Sequence, residues 1–243
     1  PKQIYDLVPT PNVTLLLHAD GASGTITQVT DSSPKNTVTP YLTATPSYST
    51  TTKFGTTSFY FNGYVNNVMN VLRTSVLPGF GSDDFTIEFW INISSFGTQM
   101  RYLGNVTPTQ YYEIGHNASG QPFMNSPLGQ LFLSGVSTGV FTHIAFVRYS
   151  NKLYGYVNGT LSSSMNYPGS IDGGASYTID IGGCGYNSGT SVATFTGYMD
   201  EIRITKGFAQ YTSNFTVQTQ PFSNGLPFSS STVLLLHFED SNG

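Results

Sequence analysis

The sequence predicts an all-β protein, because three features of its 243 residues point the same way. Seventeen Phe and sixteen Tyr are residue types that favour pleated sheets. Apolar and polar residues alternate along several segments with the period of a strand, and no segment sustains the period of a helix. The 26 Gly and 13 Pro also interrupt the chain too often for long helices. We therefore expect two antiparallel sheets packed as a sandwich.

Strands are expected wherever β-forming residues lie between turn residues. In chain order these segments are 13–19, 56–61, 64–71, 84–93, 100–105, 110–116, 129–134, 140–149, 152–157, 160–165, 177–181 and 193–204. The segment 31–50 is rich in Thr, Ser and Pro and is expected to be a loop with at most one short strand. Asn158-Gly159 predicts a hairpin, because both positions of a type I′ turn need a positive φ.

Two segments predict which face each strand buries. In "DDFTIEFWINI" (83–93) Phe and Ile alternate with Thr, Glu, Trp and Asn, so the first set is the expected core face. The second set is half polar and suits a concave or solvated face. In "GYMDEIRIT" (197–205) the same alternation predicts one face shared by Tyr198, Asp200, Ile202 and Ile204.

The order of the motifs resembles a known family. The motifs are "LLLHADG", "KFGTTSFYFNG", "DDFTIEFWINI", "FTHIAFVRYSNKLYGYVNGT", "YTIDIGG" and "GYMDEIRITKGFAQYTSNF". Over about residues 13–222 the chain resembles the laminin-G-like, concanavalin A-like jelly-roll domains, in the branch frequent in phage and viral virion proteins. The resemblance implies a two-sheet antiparallel jelly-roll sandwich with one concave sheet, often used to hold glycans and often carrying a structural calcium.

A phrase near the start of the sequence recurs near its end. "VTLLLHAD" at 13–20 and "VLLLHFED" at 233–240 place His18 and His237 219 residues apart. A period of this length predicts tandem domains. The expected organisation is a linker at 1–12, a jelly-roll domain at 13–222, a linker at 223–231 and the first strand of a following repeat at 232–243.

Composition excludes several classes of protein. Only 9% of residues are charged, the net charge is −4, and the nine basic residues form no stripe, which argues against nucleic-acid binding. Cys184 is the single cysteine, so an internal disulfide is impossible. No apolar run approaches the roughly 20 residues that a membrane span needs.

The acidic residues do not predict an enzyme. Glycoside hydrolysis usually needs two carboxyl groups on opposite sides of one bond. Glu88 has no acidic partner on its strand face, and Asp200 and Glu201 are adjacent, so they are expected to point to opposite faces. The four histidines have no metal-ligand spacing. We therefore expect a non-enzymatic domain.

The family resemblance implies a calcium site. In the resembling domains the first and last strands are neighbours, and acids at these positions can share a calcium, which corresponds to Asp20 and Asp200 here. Several oxygen ligands must converge on such a cation. The alternative is that Asp20 makes a turn hydrogen bond and Asp200 caps a loop.

Aromatic residues in loops, next to amide or imidazole groups, are candidates for binding sugars. "YYEIGHN" contains Tyr111, Tyr112, His116 and Asn117, and "GYNSG" contains Tyr186 and Asn187. Aromatic faces can stack on sugar rings while the polar neighbours bind hydroxyl groups. The alternative is that the tyrosines pack in the core or between subunits.

These observations predict a structural or adhesion module on a virion surface, one bead of a fibre that binds host-surface glycans and packs against neighbouring copies. The alternative is a carbohydrate-binding module of a bacterial adhesin or of a secreted glycan-degrading enzyme, with an extracellular or cell-surface location. A third possibility is a glycanase whose acids are not yet placed.

Overall fold

A computed structural model describes residues 12–33, 35–41, 45–65, 68–96, 99–105, 112–183 and 194–223. This part of the chain forms strands and loops and contains no α-helix, which confirms the all-β prediction. No helix with the length and apolar character to cross a membrane is found among the described residues. Nearly all of the two predicted linkers, and the whole predicted repeat strand at 232–243, lie outside them.

Eighteen strands are present in the described residues. They are Val13–Leu17 (β1), Gly24–Thr25 (β2), Val38–Tyr41 (β3), Ser47–Ser49 (β4), Ser58–Asn62 (β5), Tyr64–Val65 (β6), Val68–Met69 (β7), Val71–Thr74 (β8), Phe85–Ile93 (β9), Met100–Asn105 (β10), Glu113–His116 (β11), Pro122–Ser126 (β12), Gly129–Phe132 (β13), Thr142–Tyr149 (β14), Lys152–Val157 (β15), Thr160–Asn166 (β16), Ile179–Ile181 (β17) and Thr196–Lys206 (β18).

Two antiparallel sheets form the predicted sandwich. The large sheet has the order β16-β15-β14-β9-β18-β5-β4-β2, and β1 also pairs with β18. The small sheet has the order β13-β12-β11-β10-β17-β8-β3, and β6 pairs with β7 in a separate ribbon. The segment 31–50 contains two strands, β3 and β4, instead of at most one. Pro40 lies within β3 because β3 is an edge strand, where a missing N–H is tolerated.

The first and last strands of the domain are neighbours, as the resemblance implied. Leu16 pairs with Arg203 and Leu17 with Ile202. The predicted hairpin is also present, with φ of 48° at Asn158 and 76° at Gly159. These contacts join segments that are distant in sequence and fix the ends of the sandwich.

The core lies between the two sheets. The Phe and Ile residues of β9 have no more than 1% of their surface exposed and contact the core residues of the small sheet, as the alternation predicted. The opposite face of β9 was expected to be concave or solvated, but every residue of β9 is buried. Residues 207–223, which we call the C-terminal strap, cover this face, and Tyr211 and Phe215 pack on Ala145 and Tyr156 there.

The face assignment of β18 was wrong after Asp200. A β-bulge separates the pairs Asp200–Trp90 and Arg203–Glu88, so one extra residue is accommodated and the alternation shifts. Ile202 consequently faces the core, and Asp200 and Arg203 both lie on the outer face of the large sheet.

The bulge residue Glu201 has a φ of 49°, in the left-handed region. Its carboxylate lies 2.9 Å from the ring of His18 and accepts a hydrogen bond from the Phe222 N–H of the strap. Asp200 and Glu201 therefore both contact groups on the outer side of the large sheet, contrary to the expectation that they point to opposite faces.

Candidate functional site

A continuous row of residues crosses the outer face of the small sheet. Cross-strand pairing joins Thr39, Arg73, Asp180, Gly104, Glu113, Asn125 and Gln130, one from each of the seven strands, and we call these residues the polar row. Each has a chain neighbour that faces the core, for example Leu103 beside Gly104 and Ile114 beside Glu113. Successive side chains of a strand alternate between faces, so the polar row points outward.

The first ion pair of the polar row is formed by Arg73 and Asp180. The guanidinium donates Nε–H to Oδ1 at 2.6 Å and Nη2–H to Oδ2 at 2.8 Å, a bidentate arrangement. The Tyr41 ring lies 3.3 Å from the guanidinium carbon. Asp180 has no exposed surface and Arg73 is 21% exposed, so the guanidinium is the accessible part of this pair.

The second ion pair is formed by Arg101 and Glu113. Arg101 Nε donates to Glu113 Oε2 at 2.6 Å, and both side chains are about one-seventh exposed. Arg101 Nη1 is buried and has no hydrogen-bond partner among the described residues. The guanidinium lies 4.9 Å from the ring centre of Phe123, which in turn lies 5.8 Å from the ring of Phe132. Phe132 is 41% exposed.

Gly104 separates the two ion pairs. It pairs with Asp180 on one side and with Glu113 on the other, and it has no side chain to fill the space between them. Adjacent strands lie about 4.8 Å apart, so the two carboxylate-bearing strands are about 10 Å apart. The arrangement offers hydrogen-bond donors, acceptors and aromatic rings around a gap in the middle of the sheet.

The predicted sugar-binding residues lie beside the polar row or outside the described residues. Tyr111, Tyr186 and Asn187 are in the second group. Tyr112 is fully buried and packs on Phe80 and Tyr177, at ring distances of 5.7 and 5.9 Å. This position corresponds to the alternative in which the tyrosines pack in the core, because a side chain without exposed surface offers none to a sugar.

His116 and Asn117 follow Glu113 on the same strand and its turn. His116 is fully buried, its Nδ1 lies 3.0 Å from the Tyr102 hydroxyl, and burial, aided by the charge of Arg101, lowers its pKa to about 4. Asn117 Oδ1 accepts from the N–H groups of Ser119 and Gln121, which shapes the turn after β11. Both residues therefore position the strand that carries Glu113.

The predicted calcium ligand Asp200 holds the loop at residues 52–57. Its Oδ2 accepts hydrogen bonds from the Thr52 hydroxyl at 3.0 Å, the Lys53 N–H at 2.8 Å and the Phe54 N–H at 3.1 Å. Its Oδ1 is buried and has no hydrogen-bond partner among the described residues. Burial raises the pKa of Asp200 to about 6.

The second predicted ligand, Asp20, holds the other end of this loop. Its Oδ1 accepts from the N–H groups of Thr56 at 2.6 Å and Thr57 at 3.3 Å. Gly55 lies so close that a Cβ there would be 2.3 Å from Asp20 Oδ1. The two acids therefore contact one loop from both sides, as the alternative of a turn hydrogen bond and a capped loop also requires.

The same loop has more oxygen acceptors than protons. The Thr52 hydroxyl carries one proton, yet the Phe54 carbonyl, the Thr57 carbonyl and Asp200 Oδ2 all lie within its hydrogen-bonding reach. No group of three His, Cys, Asp or Glu side chains that could hold a metal is found in the described part of the chain. A calcium ion here would need carbonyl and hydroxyl oxygens beside the carboxylates, and the loop supplies both.

A buried charge network on the outer face of the large sheet was not predicted. Glu88 accepts from Arg203 Nε at 2.9 Å and from the Tyr211 hydroxyl at 2.8 Å, and His143 Nε2 lies 3.2 Å away. Burial alone would raise the pKa of Glu88, but these three neighbours lower it to about 2. The strap covers the network, so it joins the strap to the sheet.

The ion pairs of the polar row were missed for a simple reason. Their residues come from segments between positions 73 and 180, and no short motif contains both members of a pair. One signal was present in "YTIDIGG", where Asp180 alternates with two isoleucines and must therefore face away from the core.

Three solved structures are similar to this chain. Domain 4 of AbnA, a GH43 extracellular arabinanase from Geobacillus stearothermophilus, in complex with arabinotriose, is 19% identical, with a TM-score of 0.60 over 82% of this chain and 94% of that chain. The binding domain of botulinum neurotoxin serotype G is 13% identical, with a TM-score of 0.57 over 85% of this chain and 49% of that chain.

Trypanosoma rangeli sialidase is 12% identical, with a TM-score of 0.56 over 90% of this chain and 32% of that chain. At these identities the similarity shows a shared fold. The search of curated protein sequences found no match. The family profile for the concanavalin A-like lectin/glucanases superfamily matches residues 69–208, which is more than half of the chain. The protein therefore belongs to the concanavalin A-like lectin/glucanase superfamily.

Proposed function

We propose that the protein is a non-catalytic carbohydrate-binding domain whose sugar site is the outer face of the small sheet. The polar row carries this proposal, because it combines two ion pairs, an unsatisfied guanidinium donor and an exposed aromatic ring. Ligand sites typically combine a few fixed polar groups with aromatic surface. The similar arabinanase domain, whose structure was solved in complex with arabinotriose, supports the same class of ligand.

The ion pairs suit the binding of sugar hydroxyl groups. Each guanidinium is held by its carboxylate, so little conformational entropy is lost when a ligand binds to the remaining N–H groups and oxygens. Gly104 leaves room for a sugar ring between the pairs. The ring face of Phe132 can contact the apolar side of an adjoining sugar.

The carboxylates of the described residues do not form a hydrolytic pair. Glycosidases place an acid and a second carboxylate about 5 to 9.5 Å apart at an accessible bond. Glu113 and Asp180 are each bonded to an arginine. Asp200 and Glu201 are buried and hold the 52–57 loop and the strap, respectively. We therefore expect binding without bond cleavage.

A glycan array, probed with the protein in the presence of calcium, tests the proposal. Binding is expected, and Phe132→Ala is expected to weaken it about 2- to 10-fold, since an aromatic contact contributes about 0.5–1.5 kcal/mol. Leu161→Ala is the matched control, because Leu161 is 42% exposed and lies on the large sheet. If no glycan is retained, or both variants lose affinity equally, the outer face of the small sheet is not a sugar site.

We further propose that a structural calcium binds between Asp20, Asp200 and the oxygens of the 52–57 loop. Calcium is expected to raise the melting temperature relative to EGTA, since a ligand at about 100 times its dissociation constant adds about 2.7 kcal/mol of stability. Asp200→Asn should remove most of this gain, and Asp83→Asn, which changes a 57% exposed carboxylate, should keep it. Equal melting temperatures in calcium and EGTA would refute the site.

For the biological setting we propose a virion surface protein in which this domain is one bead of a fibre. The recurrence of the "LLLH" phrase and the 9% charged residues support this setting. A binding module of a secreted bacterial protein is the second candidate, favoured by the 94% coverage of the arabinanase domain. The genes next to the parent gene separate the two, because capsid and tail genes fit the first and a catalytic domain in the same reading frame fits the second.

A further inference from the structure

A cavity of about 470 Å³ opens where β1 begins and β18 ends. Its volume lies within the range of small-ligand sites. None of its lining residues belongs to the polar row, to the 52–57 loop or to the Glu88 network. Its polar lining residues are Asn12, Thr14, Lys35, Asn36, Asp83 and Lys206.

The cavity concentrates positive charge in a chain that is acidic overall. Of the four lysines that the structure describes, Lys35 and Lys206 both line it. Asp83 is the acidic residue of the lining, and its carboxylate is 57% exposed and lies 3.6 Å from Lys206 Nζ. Two ammonium groups and one exposed carboxylate leave the cavity with a net positive charge.

Both lysine heads are fixed in position. Lys206 Nζ donates to the Gly79 carbonyl, and Lys35 Nζ donates to the Val13 carbonyl. An ammonium group keeps its full charge after donating to a neutral carbonyl. Burial lowers the pKa of Lys35, so this ammonium is poorly hydrated and gains from an anionic neighbour.

The polar wall of the cavity is also ordered before any ligand binds. Asn12 Nδ2 donates to the Lys206 carbonyl at 2.8 Å, and Asn36 Nδ2 donates to the Thr14 carbonyl at 2.6 Å. These bonds orient the amide groups against the backbone of β1 and β18. Val76, which is 62% exposed, adds an apolar edge at the opening. Ordered amides, an apolar edge and paired ammonium groups suit a small ring with hydroxyl groups and one negative charge.

We propose that this cavity binds a sugar acid, with its carboxylate between Lys35 and Lys206 and its hydroxyl groups against Asn12 and Asn36. The site is separate from the proposed sugar site on the small sheet, so either can exist without the other. It gives the domain a second contact that selects for acidic glycans.

Methyl glucuronide and methyl glucoside test the proposal, because they differ only in a carboxylate against a hydroxymethyl group. In ¹H–¹⁵N spectra of the whole chain, the glucuronide is expected to shift the amide signals of Asn36 and Gly207 in a saturable manner. The glucoside is expected to bind at least tenfold more weakly. Equal affinity of the two sugars, or shifts confined to the polar row, would overturn the proposal.

Charge changes at the opening provide a second test that spares the core. Val76→Lys is expected to tighten glucuronide binding and Val76→Glu to weaken it, each by about threefold or more, whereas Lys206→Met should abolish most binding. The matched controls are Val140→Lys and Val140→Glu, since Val140 is 57% exposed and does not line the cavity. If the two Val76 variants bind glucuronide equally, the cavity does not hold the carboxylate. Phe132→Ala should leave glucuronide binding unchanged, which separates this site from the small sheet.

Discussion

Glu88 shows how a single buried charge holds two parts of the molecule together. It has no exposed surface, and it contacts Arg203 of its own sheet and Tyr211 of the C-terminal strap. Removing one partner of a buried ion pair costs more than the pair itself contributes, because the other charge stays buried. We expect Glu88→Gln to lower the free energy of unfolding by about 3 kcal/mol in urea denaturation. Asp83→Asn, at an exposed carboxylate, is the control and should change it little.

The acid stability of the protein should depend on the same residue. The pKa of Glu88 is lowered from 4.5 to about 2 in the folded state, so its stabilising effect is complete above the unfolded-state pKa. As the pH falls from about 4.5 towards 2, the wild-type protein should lose about 3 kcal/mol that Glu88→Gln never had. Urea titrations at several pH values measure this difference. Parallel profiles for the two proteins would show that Glu88 does not titrate in this way.

The sequence predicted the environment of some residues and not of others. The alternation of β9 correctly assigned Phe89 to the core, but it could not show that Glu88 and Trp90 are also buried. A period of two separates the faces of a strand, yet it does not reveal what covers the second face. For the same reason Tyr112 looked like a loop aromatic, although it lies inside the sandwich.

The C-terminal strap is the element that covers this second face, although it has no regular secondary structure. The rings of Tyr211 and Phe215 stack at 3.5 Å with an interplanar angle of 5°. Phe215 N–H donates to the Gly159 carbonyl at 2.9 Å, and Gln210 N–H donates to Thr86 Oγ1 at 2.9 Å. Single aromatic residues spaced irregularly have neither the period of a strand nor that of a helix, so the sequence pattern did not reveal the strap.

We expect Phe215→Ala to destabilise the protein by about 2 kcal/mol, less than for a fully buried Phe, because Phe215 is only partly buried. The variant loses ring contacts with His143, Tyr156 and Tyr211. Tyr149→Ala is the control, since Tyr149 is 43% exposed and should cost less than about 0.5 kcal/mol. Chemical denaturation measures both, and equal losses would show that the strap contributes no specific packing.

The bulge in β18 shows where reading an element from sequence fails. Nothing in "YMDEIRI" signals an extra residue, because Glu201 is not one of the residue types that favour a positive φ. One inserted residue inverts every later face assignment. The error mattered functionally, since it placed Asp200 and Glu201 on opposite faces when both contact the outer side of the large sheet.

At the scale of the whole molecule, the sandwich could be predicted and the candidate site could not. The fold depends on patterns within single segments, and these survive in the sequence as alternation, turns and the motif order. The polar row instead needs one residue from each of seven strands, and the register between strands decides which residues meet. The cavity with Lys35 and Lys206 likewise joins two residues that lie far apart in the sequence.

The family match and the structural domain have different boundaries, and this difference gives a prediction for the whole molecule. The match covers residues 69–208, but β18 also pairs with β1 and β5, and β8 pairs with β3. A fragment with residues 69–208 lacks these strands and most of the strap, so core residues such as Phe195 and Met199 lose contacts on one side.

We expect the fragment 12–223 to unfold cooperatively in urea with a structured near-ultraviolet circular dichroism spectrum. The fragment 69–208 should lack that spectrum and bind ANS, because it exposes apolar surface that the missing strands cover. The two fragments share the polar row except Thr39, so glycan binding by 12–223 alone would show that binding needs the assembled sandwich rather than the family segment. Cooperative unfolding of 69–208 with comparable stability would mean that β1, β3 and β5 are additions to an already complete core.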